Sequence, residues 1–125
     1  MNFEQKILLV LGLLSGCAAG PPQSVPHLSV ADLNASSAEF DGRAIVVRGY
    51  VRFTFEGCRV SDSEKEATYE NSLWYWPQGN CYDLRSTSNP KQGPGLVYGI
   101  FHEEDGGHLG VTSKGAIRDA KVYWD

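Results

Sequence analysis

Residues 102–108 hold the densest group of side chains that could do chemistry, with two imidazoles and three carboxylates in seven residues. Nitrogen and oxygen donors suit zinc and other transition metals, and the candidate ligands are His102, Glu104 and His108. Their spacing matches no established metal motif, however, and the segment runs into Asp105-Gly106-Gly107, which is ordinary turn chemistry. We therefore favour a solvated turn over a metal site, and we expect no cofactor.

The rest of the chain offers no convincing catalytic set. The one other histidine, His27, lies in a proline-rich stretch, and the sequence contains no nucleophile elbow, zinc-protease helix or phosphate-binding loop. We therefore predict that the protein is not an enzyme. A metal-binding or hydrolytic protein that uses residues 102–108 is the alternative.

The best candidate binding surface is an aromatic run, Leu73-Trp74-Tyr75-Trp76. In a strand, Trp74 and Trp76 share one face while Tyr75 lies on the other. Flat aromatic rings stack on sugar rings and on bases, so these three residues are candidate ligand contacts. The competing interpretation, which we favour, is that both tryptophans fill the core of a small domain and Tyr75 lies on its surface.

Two arginines, Arg48 and Arg52, are the other candidate ligand contacts. They occupy alternate positions of a predicted strand and therefore share its outward face. The alternative is a solvated strand face on which both arginines pair with carboxylates such as Glu56 or Asp62.

The chain contains three cysteines, Cys17, Cys58 and Cys81. If Cys17 carries a lipid, Cys58 and Cys81 remain as a pair. Such a pair in an exported protein indicates a disulfide, here closing a loop of about 24 residues that contributes roughly 3 kcal/mol. Two free buried thiols and half of a metal site are the alternatives. Neither cysteine has a further ligand at metal-binding spacing, so we favour the disulfide.

Cys17 stands at the end of an apolar run, residues 7–14, that follows the positive charge of Lys6. This order is typical of a secretory signal, and the run is too short to span a bilayer as a helix. Leu14-Ser15-Gly16-Cys17 resembles the lipobox of bacterial lipoproteins. The resemblance implies a signal peptide over residues 1–16, cleavage before Cys17, and a thioether-linked lipid and an acylated amine on that cysteine.

With Ala18 after the cysteine, the resemblance also implies an anchor in the outer membrane, facing the periplasm. Residues 17–28 contain three prolines and are predicted to form a lipidated, extended tether. Residues 29–125 then form one domain. The net charge of −4 argues against a nucleic-acid partner, because such proteins need a basic footprint.

The domain is predicted to be mostly β-structure. Ser29 opens a short helix as part of a capping-box pattern, Ser36 offers a second start, and Leu33 and Phe40 anchor the segment on the core. Apolar residues alternate over residues 45–55, which predicts a long half-buried strand that bends at Gly49. Further strands are predicted at residues 56–61, 73–76 (continuing over 81–84), 96–102 and 116–124, with a loop at 89–95.

This pattern resembles that of small exported OB-fold proteins of bacteria. Phe40-Asp41-Gly42-Arg43 with residues 46–51 resembles their opening strand, residues 97–101 their fourth strand, and Gly107-His108-Leu109-Gly110 the loop before their closing strand. The resemblance implies a five-stranded Greek-key barrel with a short N-terminal helix. An SH3-like barrel and a small β-sandwich are the alternatives, because residues 85–95 show no helix signal between the third and fourth strands.

Together these features predict a non-enzymatic, lipid-anchored module of the cell envelope that binds or assembles a protein or an envelope glycan. The metal-binding or hydrolytic protein is one alternative. A second alternative is a structural or stress-related lipoprotein that pairs with a partner through a strand edge.

Overall fold

The computed structural model describes residues 20–54, 57–65, 71–78, 92–105 and 115–125. Two short helices and six strands follow one another along the chain. In chain order they are β1 (His27–Leu28), α1 (Val30–Ala35), α2 (Ser37–Phe40), β2 (Ala44–Thr54), β3 (Gly57–Ser61), β4 (Ser72–Pro77), β5 (Gly93–His102) and β6 (Ala116–Trp124).

The strands close into a five-stranded barrel. Antiparallel pairs join β2 to β3, β3 to β4, and β5 to β6, while β4 and β6 run parallel. An antiparallel pair between β2 and β5 completes the ring, and β1 adds to β2 in parallel outside it. This order confirms the prediction of an all-β, OB-like Greek-key barrel over a sandwich or an SH3-like barrel.

The helical segment forms where the capping pattern predicts it. The Ser29 hydroxyl accepts a hydrogen bond from the Asp32 amide at 3.0 Å, and α1 begins at the next residue. The carboxylate of Asp62 accepts hydrogen bonds from the first two amides of the helix, at 2.8 and 2.9 Å, and so ties α1 to the end of β3. Leu33 and Phe40 are both buried in the core, as predicted.

Strand β2 approaches β3 closely at Gly49. Its core-facing side chains are Ile45, Val47 and Val51, all with no exposed surface. A Cβ on Gly49 would lie 2.4 Å from the carbonyl oxygen of Ser61, so a larger residue does not fit without moving β3. The glycine therefore allows the close approach that a tight barrel corner requires.

Strand β5 begins three residues before its predicted start. Residues 93–95, predicted as the end of a loop, pair with β2 and extend the barrel wall. A Cβ on Gly95 would lie 2.8 Å from the carbonyl oxygen of Tyr123, so this glycine serves close strand packing. Glycine and proline favour turns locally, but here the packing of residues 93–95 against β6 outweighs that local preference.

Strand β4 turns its faces the opposite way from the favoured interpretation. Leu73 and Tyr75 belong to the barrel core, each with no exposed surface. Trp74 and Trp76 lie on the outer face. The hydroxyl of Tyr75 has no hydrogen-bond partner among the residues that the structure describes, and burial raises the pKa of this phenol.

We expect Tyr75→Phe to leave the free energy of unfolding unchanged or to raise it by up to about 1 kcal/mol, because the variant removes a buried, unsatisfied hydroxyl. Urea unfolding checks this, with Tyr98→Phe on the outer face as the matched control. A loss of more than about 1 kcal/mol would show instead that the Tyr75 hydroxyl has a partner in the folded protein.

Candidate functional site

The outer surface of β2, β3, β4 and β6 carries three arginines, each stacked on an aromatic ring. We call this surface the Arg–aromatic face and define it by Tyr50, Arg52, Arg59, Trp74, Trp76 and Arg118. It lies outside the barrel because the side chains that alternate with its members point into the core.

Strand register brings the centre of this face together. Arg52 of β2 lies opposite Arg59 of β3, and Arg59 lies opposite Trp74 of β4. The guanidinium carbons lie 4.9 Å from the Tyr50 ring centre for Arg52 and 5.1 Å from the Trp74 ring for Arg59. Cations at this distance over an aromatic ring are attracted by its quadrupole, which favours keeping each guanidinium close to its ring.

The tryptophans of the face differ in accessibility. Trp74 is 1% exposed, and the backbone of Gly57 lies so close to its ring that a Cβ there would be 2.7 Å from Cζ3. Trp74 therefore has no free ring surface on which a ligand could stack. Trp76 is partly exposed, and the guanidinium of Arg118 lies 5.9 Å from its ring centre. Of the three predicted aromatic contacts, Trp76 alone presents accessible ring surface.

The arginines of the face differ in how their charge is balanced. Arg118 forms a two-point ion pair with Asp105, with one contact at 2.9 Å, and this hydrogen bonding lowers the pKa of Asp105. Arg59 donates to the Ser72 hydroxyl, and Arg52 donates to the carbonyl oxygen of Glu64. Within the described ranges, no carboxylate forms an ion pair with Arg52. Among the described residues, Arg52 is thus the arginine of the face whose donor contacts are to a ring and a backbone carbonyl oxygen.

Arg48 does not belong to this face. It lies on β2 opposite Leu96 of β5, and its guanidinium pairs with Asp125 at 3.0 Å. The predicted partner Asp62 instead caps α1, and Glu56 lies outside the described residues. Arg48 and Arg52 both lie on the outside of the barrel, as alternation predicts, but they have different neighbours: Arg48 lies beside β5 and Arg52 beside β3.

A cleft of about 630 Å³ lies on the Arg48 side of the barrel. Leu28 and Leu96 contribute its apolar wall, while Arg48 and Asp62 contribute opposite charges. The cleft is bounded by the N-terminal segment that precedes α1, so it exists because that segment lies against β2.

The described part of the 102–108 segment is engaged in structural contacts. The amide of Glu103 donates to Asp41 at 2.9 Å, and its carboxylate accepts from Ser37 at 3.4 Å. Asp105 is held by Arg118, and His102 is exposed. Across the described ranges, no group of three His, Cys, Asp or Glu residues is placed to hold a metal ion. His108 lies outside those ranges.

The cysteines are only partly described. Cys58 lies in β3 with no exposed surface. Cys81 and Cys17 lie outside the described residues, so the disulfide and the lipid attachment stay predictions. None of the helices that the structure describes is both long and apolar enough to cross a bilayer.

Three members of the Arg–aromatic face, Tyr50, Arg59 and Arg118, are not singled out by the sequence motifs. Tyr50 and Arg59 follow from strand alternation, since their neighbours Val51, Cys58 and Val60 are core residues. Arg118 likewise follows the core residue Ile117, but after it β6 shifts register between Tyr98 and Ile100 of its partner, at Asp119, whose φ is 51°. An irregularity of this kind changes which residues face outward without leaving a sequence signal.

No known protein family, curated protein or solved structure matches this chain.

We expect Asp105→Asn to lower the free energy of unfolding at neutral pH by no more than about 1 kcal/mol, because Asp105 and Arg118 are both partly exposed. Arg118 lowers the pKa of Asp105, so the contribution is present above the ordinary aspartate pKa of about 3.9 and is lost as the pH falls through the lowered value.

Urea unfolding across this pH range checks the prediction, with Arg118→Gln and the double variant closing the cycle. The natural protein and Asp105→Asn should converge at low pH, and the two single losses should not add. A difference that stays constant down to the lowest pH would contradict the ion pair as its cause.

Proposed function

We propose that this protein is a lipid-anchored, non-enzymatic module of the bacterial cell envelope that binds a carboxylate-bearing partner, either a protein or an envelope glycan, through its Arg–aromatic face. The observation that carries the proposal is the row of stacked arginines and aromatic rings across β2, β3 and β4. The lipobox-like sequence around Cys17 supports the anchor and the outer-membrane, periplasm-facing location.

The position of the face supports binding. OB-folds bind oligosaccharides and oligonucleotides over their second and third barrel strands, which correspond to β3 and β4 here. Fold alone does not assign function, so the proposal depends on the side chains that the face carries. Guanidinium groups recognise carboxylates with two parallel hydrogen bonds, and an accessible indole stacks on a sugar ring or an apolar side chain.

Arg52 is the central contact in this mechanism. Its guanidinium is already oriented by the Tyr50 ring and by the Glu64 carbonyl, so little side-chain entropy is lost when it accepts a ligand. No carboxylate of the described residues forms an ion pair with it, so a ligand carboxylate would not compete with any of those residues for the guanidinium. Trp76 then supplies the apolar contact at the β6 side of the face.

The two alternative functions have less support. Partner-strand pairing needs a long free edge, and β2 and β5 are each paired along both sides for most of their length. For a metal-dependent function through residues 102–108, the described candidate ligands His102 and Glu104 are both exposed, and no third His, Cys, Asp or Glu of the described residues is placed to complete a metal site with them.

We expect intact-mass measurement of the full chain, expressed in a Gram-negative bacterium and extracted from its membranes, to show a triacylated N-terminal Cys17. Cys58 and Cys81 should resist alkylation until reduced. Cys17→Ser is the control, which should retain residues 1–16 and gain no lipid. A natural chain that keeps residues 1–16 without lipid would overturn the anchor.

We expect soluble muropeptides, which combine sugar rings with carboxylates, to bind the protein and change its tryptophan fluorescence. Arg52→Gln should weaken this binding about tenfold, because a charge-assisted hydrogen bond contributes about 1.5–3 kcal/mol, and Trp76→Leu should remove most of the fluorescence change. Titration calorimetry at two salt concentrations measures both effects.

Lys121→Gln is the matched control for loss of one exposed positive charge outside the Arg–aromatic face. It should bind muropeptides like the natural protein. Equal affinity of the natural protein and Arg52→Gln for the muropeptides would reject a glycan-binding role for the face.

A further inference from the structure

The segment before α1 is part of the fold. Pro21 is buried, and the His27 ring hydrogen-bonds the Pro22 carbonyl oxygen at 3.0 Å. The Pro26 carbonyl oxygen accepts from the Val46 amide at 2.9 Å, and β1 pairs with Val46 and Val47 of β2. Residues 26–28 therefore pair with the barrel, Gln23 lines the cleft beside them and Pro21 is buried, so much of the segment predicted to form an extended tether is folded onto the domain.

From this we infer that the barrel is held directly against the membrane surface by its docked N-terminal segment, and that it does not act at the end of a long tether. The inference rests on the lipid anchor of the proposed function. The side of the barrel that carries the docked segment contacts the headgroup layer of the bilayer in which the lipid anchor is inserted.

Chain length sets the separation. A free tether from Cys17 to the start of α1 would reach about 40 Å when fully extended, whereas Cys17 to Pro21 reaches at most about 14 Å. That distance is less than the diameter of a small domain. The side of the barrel that carries residues 21–26 must therefore lie at or near the headgroups, and the cleft beside Leu28 is carried there with it.

Electrostatic attraction does not explain why the barrel lies close to the membrane. The residues between Cys17 and His27 carry no ionisable side chain, and the chain has a net charge of −4. Anionic headgroups would repel such a domain, and salt would screen the repulsion. Because the short covalent connection sets the distance, the separation should not change with ionic strength in zwitterionic vesicles.

Energy transfer from tryptophan to a dansyl-labelled headgroup lipid measures the separation, since all three tryptophans (Trp74, Trp76 and Trp124) lie in the barrel. The full chain is placed in phosphatidylcholine vesicles in its cell-made lipidated form. In a second preparation, the full chain is coupled through the Cys17 thiol to a maleimide lipid. The coupled form tests the geometry even if the cell adds no lipid, so failure of the anchor and failure of this inference give different results.

Two insertion variants provide the comparison. Twelve Gly and Ser residues between Ala19 and Gly20 add about 20 Å of root-mean-square reach, and the same insert after Asp125 is the control. We expect efficient transfer in the natural chain and in the control, at low and high salt alike, and a fall of at least half in the variant with the N-terminal insert. Equally weak transfer in the natural chain and in that variant would show that the segment undocks and acts as a tether.

Discussion

The shared strand β2 is the constraint on which the rest of the structure depends. It pairs with β1 and β3 along one edge and with β5 along the other, so it belongs to both halves of the barrel wall. A strand that serves both halves has to coil sharply, and the missing side chain at Gly49 lets the Ser61 carbonyl come close enough for that. Barrel closure, docking of the N-terminal segment and the two outer surfaces all follow from this geometry.

The change of strand neighbours along β2 also explains why one strand contributes to two different surfaces. Arg48, before Gly49, lies beside β5 and the C-terminal Asp125, at the cleft. Arg52, after Gly49, lies beside β3 and stacks on Tyr50. A period-two pattern assigns both arginines to the outside, which is correct. The pattern does not show how much the direction of the outer face changes between Arg48 and Arg52, because the coiling of β2 is set by its contacts with β3 and β5.

The sequence predicts the strands of this barrel better than it predicts their orientation. The predicted bounds of β2 differ from the observed ones by one residue at each end, and those of β6 agree with the observed ones. Alternation identifies both strands because each has one apolar and one polar face. In β4, both Trp74 and Tyr75 are large and nearly fully buried, so hydrophobicity does not identify the inward face. Burial of Trp74 comes from Gly57 and Arg59 on the outer side, contacts that depend on the register of β3. The proline-rich segment is predicted to be extended, but residues 20–25 form bends and turns and only His27–Leu28 form a strand, which pairs with β2.

The acidic composition and the cationic candidate site are compatible because the carboxylates nearest the arginines are used locally. Asp62 binds the first amides of α1, Asp105 binds Arg118, and Asp125 binds Arg48. Each of these carboxylates stabilises a chain end, a helix start or a strand irregularity, and none of them neutralises Arg52. The net charge therefore describes how the whole domain interacts with polyanions at a distance, whereas Arg52 determines what a ligand meets on contact. An acidic net charge is thus compatible with a locally cationic surface, because the two act over different distances.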